Sequence, residues 1–172
     1  MRPATAADAS ACAAIYAPYV TDTVISFETE PPTADAFEER IAEASAAHAW
    51  LVAERGGEVL GYAYGHRFSA RAAYDWSCET SIYVDTARRR AGIGRALYTE
   101  LLDVLARRGY RRAFAGVALP NDASLGLHRS FGFEDCGVYR RVGWKNGAWH
   151  DVAWLQRDLQ TDEVDPPAPV PR

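Results

Sequence analysis

The chain has 172 residues, 48% hydrophobic and 12% aromatic, which suits a single domain with a substantial core. A net charge of −4, from 19 Lys and Arg against 23 Asp and Glu, argues against a general nucleic-acid or membrane-surface binder, since both depend on a basic field. Cys12, Cys78 and Cys136 lie far apart with no C-x-x-C, so neither a disulfide framework nor a zinc site is expected and a reducing cytoplasm fits.

Thr5-x-x-Asp8 resembles a capping box and predicts a first helix that buries Cys12, Ile15 and Tyr16 and ends near Pro18. Residues 19–32 then read as a loop rich in apolar side chains, Val24, Ile25 and Phe27, next to Glu28. Thr33 caps a second helix with Phe37, Ile41 and Ala44 on one face. Residues 50–54 and 59–66 are predicted strands joined at Gly56-Gly57, whose glycines permit the positive φ of a tight hairpin. Residues 67–77 break the alternation and read as a loop near a site. A strand follows through Ser81, Ile82, Tyr83 and Val84, then a helix with Ile93, Leu97, Leu101, Val104 and Leu105 at three- and four-residue spacing, stopped by Gly109. Residues 111–119 predict a strand. Residues 120–124 start a short helix that ends before Gly132, residues 133–142 and 149–159 predict two closing strands, and residues 143–147 link them. No internal repeat and no second domain appear. From Thr161 the chain is acidic and proline-rich with little apolar surface to offset its ordering entropy, so 1–159 is read as the domain and 160–172 as a disordered tail. No apolar run reaches the length of a membrane span, and the first residues lack the layout of a secretion signal.

Between the 81–84 strand and its helix lies Arg88-Arg89-Arg90-Ala91-Gly92-Ile93-Gly94-Arg95. The first amides of a helix lack intrahelical acceptors, the helix dipole adds partial positive charge, and glycine admits a ligand close to the backbone, so the segment favours an anion such as phosphate. It fits neither the dinucleotide fingerprint nor the P-loop, which needs Gly-Lys-Ser/Thr.

The pattern Arg89-x-x-Gly92-x-Gly94 resembles the acyl-CoA pyrophosphate loop of the GNAT N-acetyltransferases. A second family segment, Asn-x-x-[Ala/Ser]-x-x-x-Tyr-x-x-x-Gly-Phe, is matched by Asn121, Ser124, Gly132 and Phe133, with His128 where many members carry tyrosine. The element order of residues 1–159 resembles the GNAT fold, an α/β (α+β) architecture with a mixed, mostly antiparallel sheet, a splayed central strand pair and flanking helices. Ala73-Tyr74-Asp75-Trp76, Leu119-Pro120-Asn121-Asp122 and the run 143–152 further resemble the phosphinothricin and methionine sulfoximine N-acetyltransferases.

The resemblance implies acetyl-CoA as co-substrate, no metal, and a small amino acid as acceptor. Backbone groups of Ile82, Tyr83 and Val84 would pair with the pantetheine arm as an added strand. Arg89, Arg90, Ala91, Gly92, Ile93, Gly94 and Arg95 would hold the pyrophosphate, with Asn121, Ser124 and His128 as further cofactor contacts. Glu79 is the candidate general base, and His128 either donates to the leaving thiolate or only holds the cofactor. Arg71 is the candidate partner of an acceptor carboxylate, because guanidinium forms two parallel hydrogen bonds with one. Glu28 and the rings of Phe27, Tyr74 and Trp144 complete the acceptor site. Lys145 and His150 lie either near the acceptor head group or in a solvated turn. A homodimer is expected, from family habit and from the apolar closing strands. Two other classes stay open: a GNAT enzyme for another amine, such as a polyamine or a protein N-terminus, and an acyl-CoA-binding module without catalysis. Nucleic-acid binding through the arginines needs an extended basic face, which the acidic balance opposes.

Overall fold

A computed structural model describes residues 1–88 and 91–161. The expected unstructured tail thus lies almost wholly outside the described residues, as do Arg89 and Arg90. The strands are β1 (Arg2–Pro3), β2 (Ala49–Arg55), β3 (Glu58–Arg67), β4 (Ser77–Val84), β5 (Arg112–Ala118), β6 (Glu134–Lys145) and β7 (Ala148–Asp158). The helices are α1 (Ala9–Thr21), α2 (Ala34–Ala47), α3 (Ile93–Arg107) and α4 (Asp122–Ser130).

The described residues form a seven-stranded sheet in the order β1-β2-β3-β4-β5-β7-β6. Every neighbouring pair is antiparallel except β4 and β5, which run parallel. That parallel pair needs a crossover, and α3 supplies it. Helix α3 lays Leu97, Leu101 and Leu105 on one face of the sheet, where Ala63, Ala113 and Ala115 leave room for it. On the opposite face α1 and α2 bury Cys12, Tyr16, Phe37 and Ile41 against Trp50, Val52 and Tyr62. The period-2 alternation of β3 assigns Ala63 to the α3 layer and Tyr62 to the α1–α2 layer.

The start of the chain departs from the sequence reading in two ways. Residues 2–3 add a short edge strand to β2, held by Arg2, whose guanidinium donates to both Asp8 carboxylate oxygens at 2.7 Å. That pair holds the Asp8 carboxyl down at about 2. Helix α1 also runs through Pro18 to Thr21 instead of ending there. A proline inside a helix costs about 3 kcal/mol. The extra turn buries Tyr19 and Val20, and full burial of one large apolar side chain contributes about 1.5–3 kcal/mol, so the two offset the proline.

At the other end, β6 and β7 extend to a two-residue turn at Asn146-Gly147, with φ of 52° and 75°, in place of the five-residue link expected. Both positive φ values match the twist of the flanking strands. Thr33 caps α2 as read, accepting from the Ala36 amide at 3.2 Å, and Gly56 and Gly57, both at positive φ, turn β2 into β3.

Candidate active site

β4 and β5 pair only through Ser77, Cys78 and Glu79, opposite Arg112, Ala113 and Phe114. From Thr80 onward β4 keeps its β3 partner but has no ladder to β5, so the sheet opens immediately after Glu79. The Thr80 hydroxyl sits at the fork. It donates to the Phe114 carbonyl at 3.1 Å, and because its single proton is spent there, the Tyr98 hydroxyl at 2.5 Å is the donor to it.

Main-chain direction follows from the register. The Asp85 amide donates to the Leu60 carbonyl, so Asp85 and, two residues back, Tyr83 turn their backbone groups toward β3. Ile82 and Val84 turn theirs toward the opening, where the Val84 carbonyl already accepts from the Tyr19 hydroxyl at 2.5 Å. The Tyr83 ring meets Tyr16 and Tyr19 edge-on, at 4.7 and 5.2 Å, on the α1 side.

Glu79 lies on the same sheet face as Tyr64 and His66, directly across the β3–β4 ladder from His66. Its side chain is 25% exposed, and its Oε1 is 3.9 Å from His66 Nε2. Burial raises the Glu79 carboxyl above the ordinary carboxylate range and lowers the His66 imidazole.

The far wall of the opening is the start of α3. Gly92 adopts a left-handed conformation, φ 76°, which favours glycine there, and a Cβ at that position would meet nothing within 4 Å. Ile93 is buried and anchors the turn, and Ala91 is exposed. A Cβ on Gly94 would contact Ile82, Val84 and Leu127, so the first turn of α3 stands between the end of β4 and α4. The Arg95 guanidinium donates to the Ser130 hydroxyl at 2.9 Å and lies 5.2 Å over the Phe131 ring, fixing a cation at that wall.

Helix α4 begins with Asn121, whose side-chain oxygen caps it by accepting from the Ser124 amide at 3.2 Å. His128, 3% exposed, packs edge-on against Tyr98 and Phe133. Its Nδ1 is 2.8 Å from the Ser124 carbonyl, and because a carbonyl only accepts, the proton is on Nδ1 and the Nε2 lone pair is free. Burial lowers the imidazole. Burial thus favours the neutral ring, with its proton on Nδ1.

The expected acceptor-side residues fall in three places. Glu28 accepts from the Tyr16 hydroxyl at 3.1 Å and from both Arg40 nitrogens at 2.9 and 3.3 Å. Phe27 lies flat against Gly143, so close that a Cβ there would fall 2.1 Å from the ring, and tilts toward His150 at 6.3 Å. Arg71 is exposed at the start of a short 3-10 turn, Ala72–Tyr74, and the Tyr74 ring packs edge-on against Phe68. Trp144 is 59% exposed and pairs with Trp149 across the hairpin. Lys145 is not in a solvated turn: it is buried and donates to the Val20 and Ser26 carbonyls at 2.6 and 2.7 Å, pinning the 22–33 loop to the hairpin. His150 Nε2 then donates to the Lys145 carbonyl at 3.0 Å.

A cavity of about 570 Å³ opens beside these groups. It is bounded by Arg40, the partner of Glu28, by Tyr74, and by His66, the cross-strand neighbour of Glu79. It thereby borders Tyr74 and the direct partners of Glu28 and Glu79, which the sequence leaves separate.

Residues 1–154 match a family model described as an acetyltransferase (GNAT) domain. The chain belongs to the GNAT acetyltransferase family. It is 40% identical to a phosphinothricin N-acetyltransferase of Streptomyces viridochromogenes over 170 residues, covering 99% of this chain and 92% of that one. It is 37% identical to an L-methionine sulfoximine/L-methionine sulfone acetyltransferase of Salmonella typhimurium over 113 residues, 66% of this chain and 65% of that one. Among solved structures it is similar to a GNAT phosphinothricin acetyltransferase of Sinorhizobium meliloti in complex with AcCoA, with a TM-score of 0.92, 34% identity, and coverage of 98% of this chain and 93% of that one. This GNAT protein is thus an acyltransferase, on the splayed α/β fold expected from its sequence.

Sequence reasoning missed three groups at this GNAT site: Arg40, His66 and the buried clamp role of Lys145. His66 falls in the period-2 series Tyr62, Tyr64, His66. That series gives its sheet face, but only the β3–β4 register sets it opposite Glu79.

Proposed function

We propose that this enzyme transfers acetyl from acetyl-CoA to the α-amine of a small amino acid such as L-phosphinothricin, L-methionine sulfoximine or methionine sulfone, with Glu79 as general base. The observation that carries the reading is the parting of β4 from β5 right after Glu79, which sets a partly covered carboxylate of raised pKa at the mouth of a gap edged by the main chain of Ile82 and Val84. The relatives named for those amino acids support the acceptor class, and a similar structure solved with AcCoA supports the co-substrate.

Ile82 and Val84 would take the pantetheine arm as an added strand, while the Tyr83 main chain is committed to β3. Ala91, Gly92, Ile93, Gly94 and Arg95 would hold the pyrophosphate through first-turn amides that lack helical acceptors. Arg89 and Arg90 share that assignment from sequence alone. Asn121 and Ser124 shape the α4 end of the gap, and His128 supports it in the neutral form. Glu79 takes a proton from the acceptor ammonium so that the amine can attack the thioester, directly or through one water. A carboxylate of raised pKa does this better near neutrality than an ordinary one. Arg71, exposed before the Ala72–Tyr74 turn, would bind the acceptor carboxylate, with Tyr74, Phe27 and Trp144 as walls and Glu28 shaping the floor through Arg40. A homodimer in a reducing cytoplasm, detoxifying an amino-acid inhibitor, completes the reading.

The test is thiol release from acetyl-CoA with a panel of the three amino acids, spermidine and an alanine-ended peptide. The reading predicts kcat/KM for at least one of the amino acids about a hundred-fold above the polyamine and the peptide, because a site built to hydrogen-bond a substrate group rejects what lacks it. Preference for spermidine or the peptide would overturn the acceptor claim. Tight acetyl-CoA binding with no turnover on any amine would leave a binding module instead.

A further inference from the structure

The overall reaction releases one proton per turnover to bulk water: the acceptor enters as an ammonium and leaves as an amide, while the departing thiolate keeps one proton. If Glu79 is the base, it must discharge that proton before the next cycle, and its side chain is three-quarters covered. The imidazole facing it is His66, paired with it across the ladder at 3.9 Å, and His66 also lines the 570 Å³ cavity beside α2. Glu79 itself does not border that cavity.

We propose that His66 is a relay residue for Glu79, receiving the proton at Nε2 and passing it to water in the cavity beside α2. The inference rests on the reading of Glu79 as base. The 3.9 Å separation exceeds a hydrogen bond, and side-chain rotation at the two partly exposed groups, 37% and 25% accessible, would close it. Nε2 is the ring nitrogen that faces the Glu79 carboxylate, so the relay uses the tautomer that carries its proton on Nδ1. A proton on Nδ1 leaves the Nε2 lone pair facing the carboxyl, the arrangement that accepts a proton. The O–H bond of protonated Glu79 breaks as the N–H bond at Nε2 forms, and the imidazolium then loses a proton to cavity water; no electrons change hands.

The charged groups around His66 oppose one another. From α2, Arg40 and Glu43 face the cavity with opposite charges, and Glu43 raises His66 slightly against the larger lowering by burial. From the loop before β4, Asp75 lies 3.9 Å from Arg67 of β3, so those charges also oppose one another. His48, stacked on Tyr110 at 4.9 Å, is held down at about 4 and stays neutral. Tyr64, 5.5 Å from the His66 ring, is pushed up to about 12 and stays neutral too. His66, lowered by burial, is the cavity imidazole that faces Glu79.

The experiment compares the full-length enzyme with His66→Ala, His66→Gln and Glu79→Gln in weak buffer, with and without added imidazole. The proposal predicts that His66→Ala lowers kcat about ten-fold and that imidazole, which the enlarged cavity admits, restores most of it saturably. His66→Gln, which fills the site but cannot titrate, should show the same loss without rescue. Acetyl-CoA affinity should be unchanged in both. Unaltered kcat in both His66 variants, or a loss that imidazole does not reverse in His66→Ala, would overturn the relay. If Glu79→Gln keeps the parent rate, the base assignment itself fails. If it loses activity while the His66 variants do not, only the relay fails.

Discussion

Burial raises the Glu79 pKa, and the shift acts in opposite directions on rate and on stability. The ionised form is the proposed base, so kcat/KM should fall as pH drops through the raised value, and Glu79→Gln should lower it about 10²–10⁴-fold in steady-state assays below the pH where free amine predominates. For stability, a carboxyl raised on folding binds its proton more readily in the native state, so ionisation opposes folding above the raised value. Glu79→Gln should therefore raise Tm at about pH 8 and leave it nearly unchanged at about pH 4, where folded and unfolded forms are both largely protonated. A lowered Tm at the higher pH would mean that the carboxylate is held by a favourable partner instead of being strained by burial. Thr80 gives a second test: Thr80→Val strands the Phe114 carbonyl and removes the acceptor of the Tyr98 hydroxyl, and should cost about 1–3 kcal/mol in urea unfolding. Glu79 and Asn121 were named only through the family resemblance, whereas the turn at Gly92 and Gly94 was legible in the sequence because its spacing has a local cause. Thr80 and His66 were not, because their partners lie on other strands and only pairing register brings them together. The state of His128 was also hidden, since its proton is placed by a carbonyl one helical turn back and its charge by burial.

Among the elements, the 22–33 loop depends on a residue far along the chain. Lys145 reaches back 125 residues to the Val20 carbonyl, and burial lowers its ammonium. Bonds to charged groups contribute about 1.5–3 kcal/mol each, so the two carbonyls offset much of the burial. Lys145→Met should destabilise the fold by about 2–3 kcal/mol in denaturant titration and raise KM for the acceptor while leaving acetyl-CoA affinity unchanged. Equal loosening of both substrates would place the clamp's effect outside the loop. Gly143 offers a milder version of the same test. Any side chain there displaces Phe27, so Gly143→Ala should change the ranking of acceptors more than the rate with acetyl-CoA saturating. The strands and helices themselves were largely readable: α3 from its three- and four-residue spacing, α2 from its threonine cap, β2 and β3 from two glycines. The passage of α1 through Pro18 was not, because burial of Tyr19 and Val20 overrides a local rule.

At the scale of the whole molecule, β6 is the edge of the sheet, and its hairpin with β7 exposes Tyr139, Val142, Trp144 and Trp149, each at least half accessible. An apolar patch of that kind on an edge strand is where a second copy would pack. Sedimentation should show a dimer, and Tyr139→Ser with Trp149→Ser should weaken it by at least about ten-fold in Kd. A monomer in the parent chain would remove the homodimer from the account. Among the described residues no helix is long and apolar enough to cross a membrane. Among the described residues the sheet parts near its centre, between β4 and β5, and the proposed chemistry is arranged around that opening. A crystal structure with acetyl-CoA bound addresses that claim most directly. The account predicts the pantetheine arm bonded to the backbone of Ile82 and Val84, the pyrophosphate on the amides from Gly92 to Arg95, and the thioester turned toward Glu79. A cofactor lying outside the β4–β5 gap, or with its acetyl group directed away from Glu79, would contradict it.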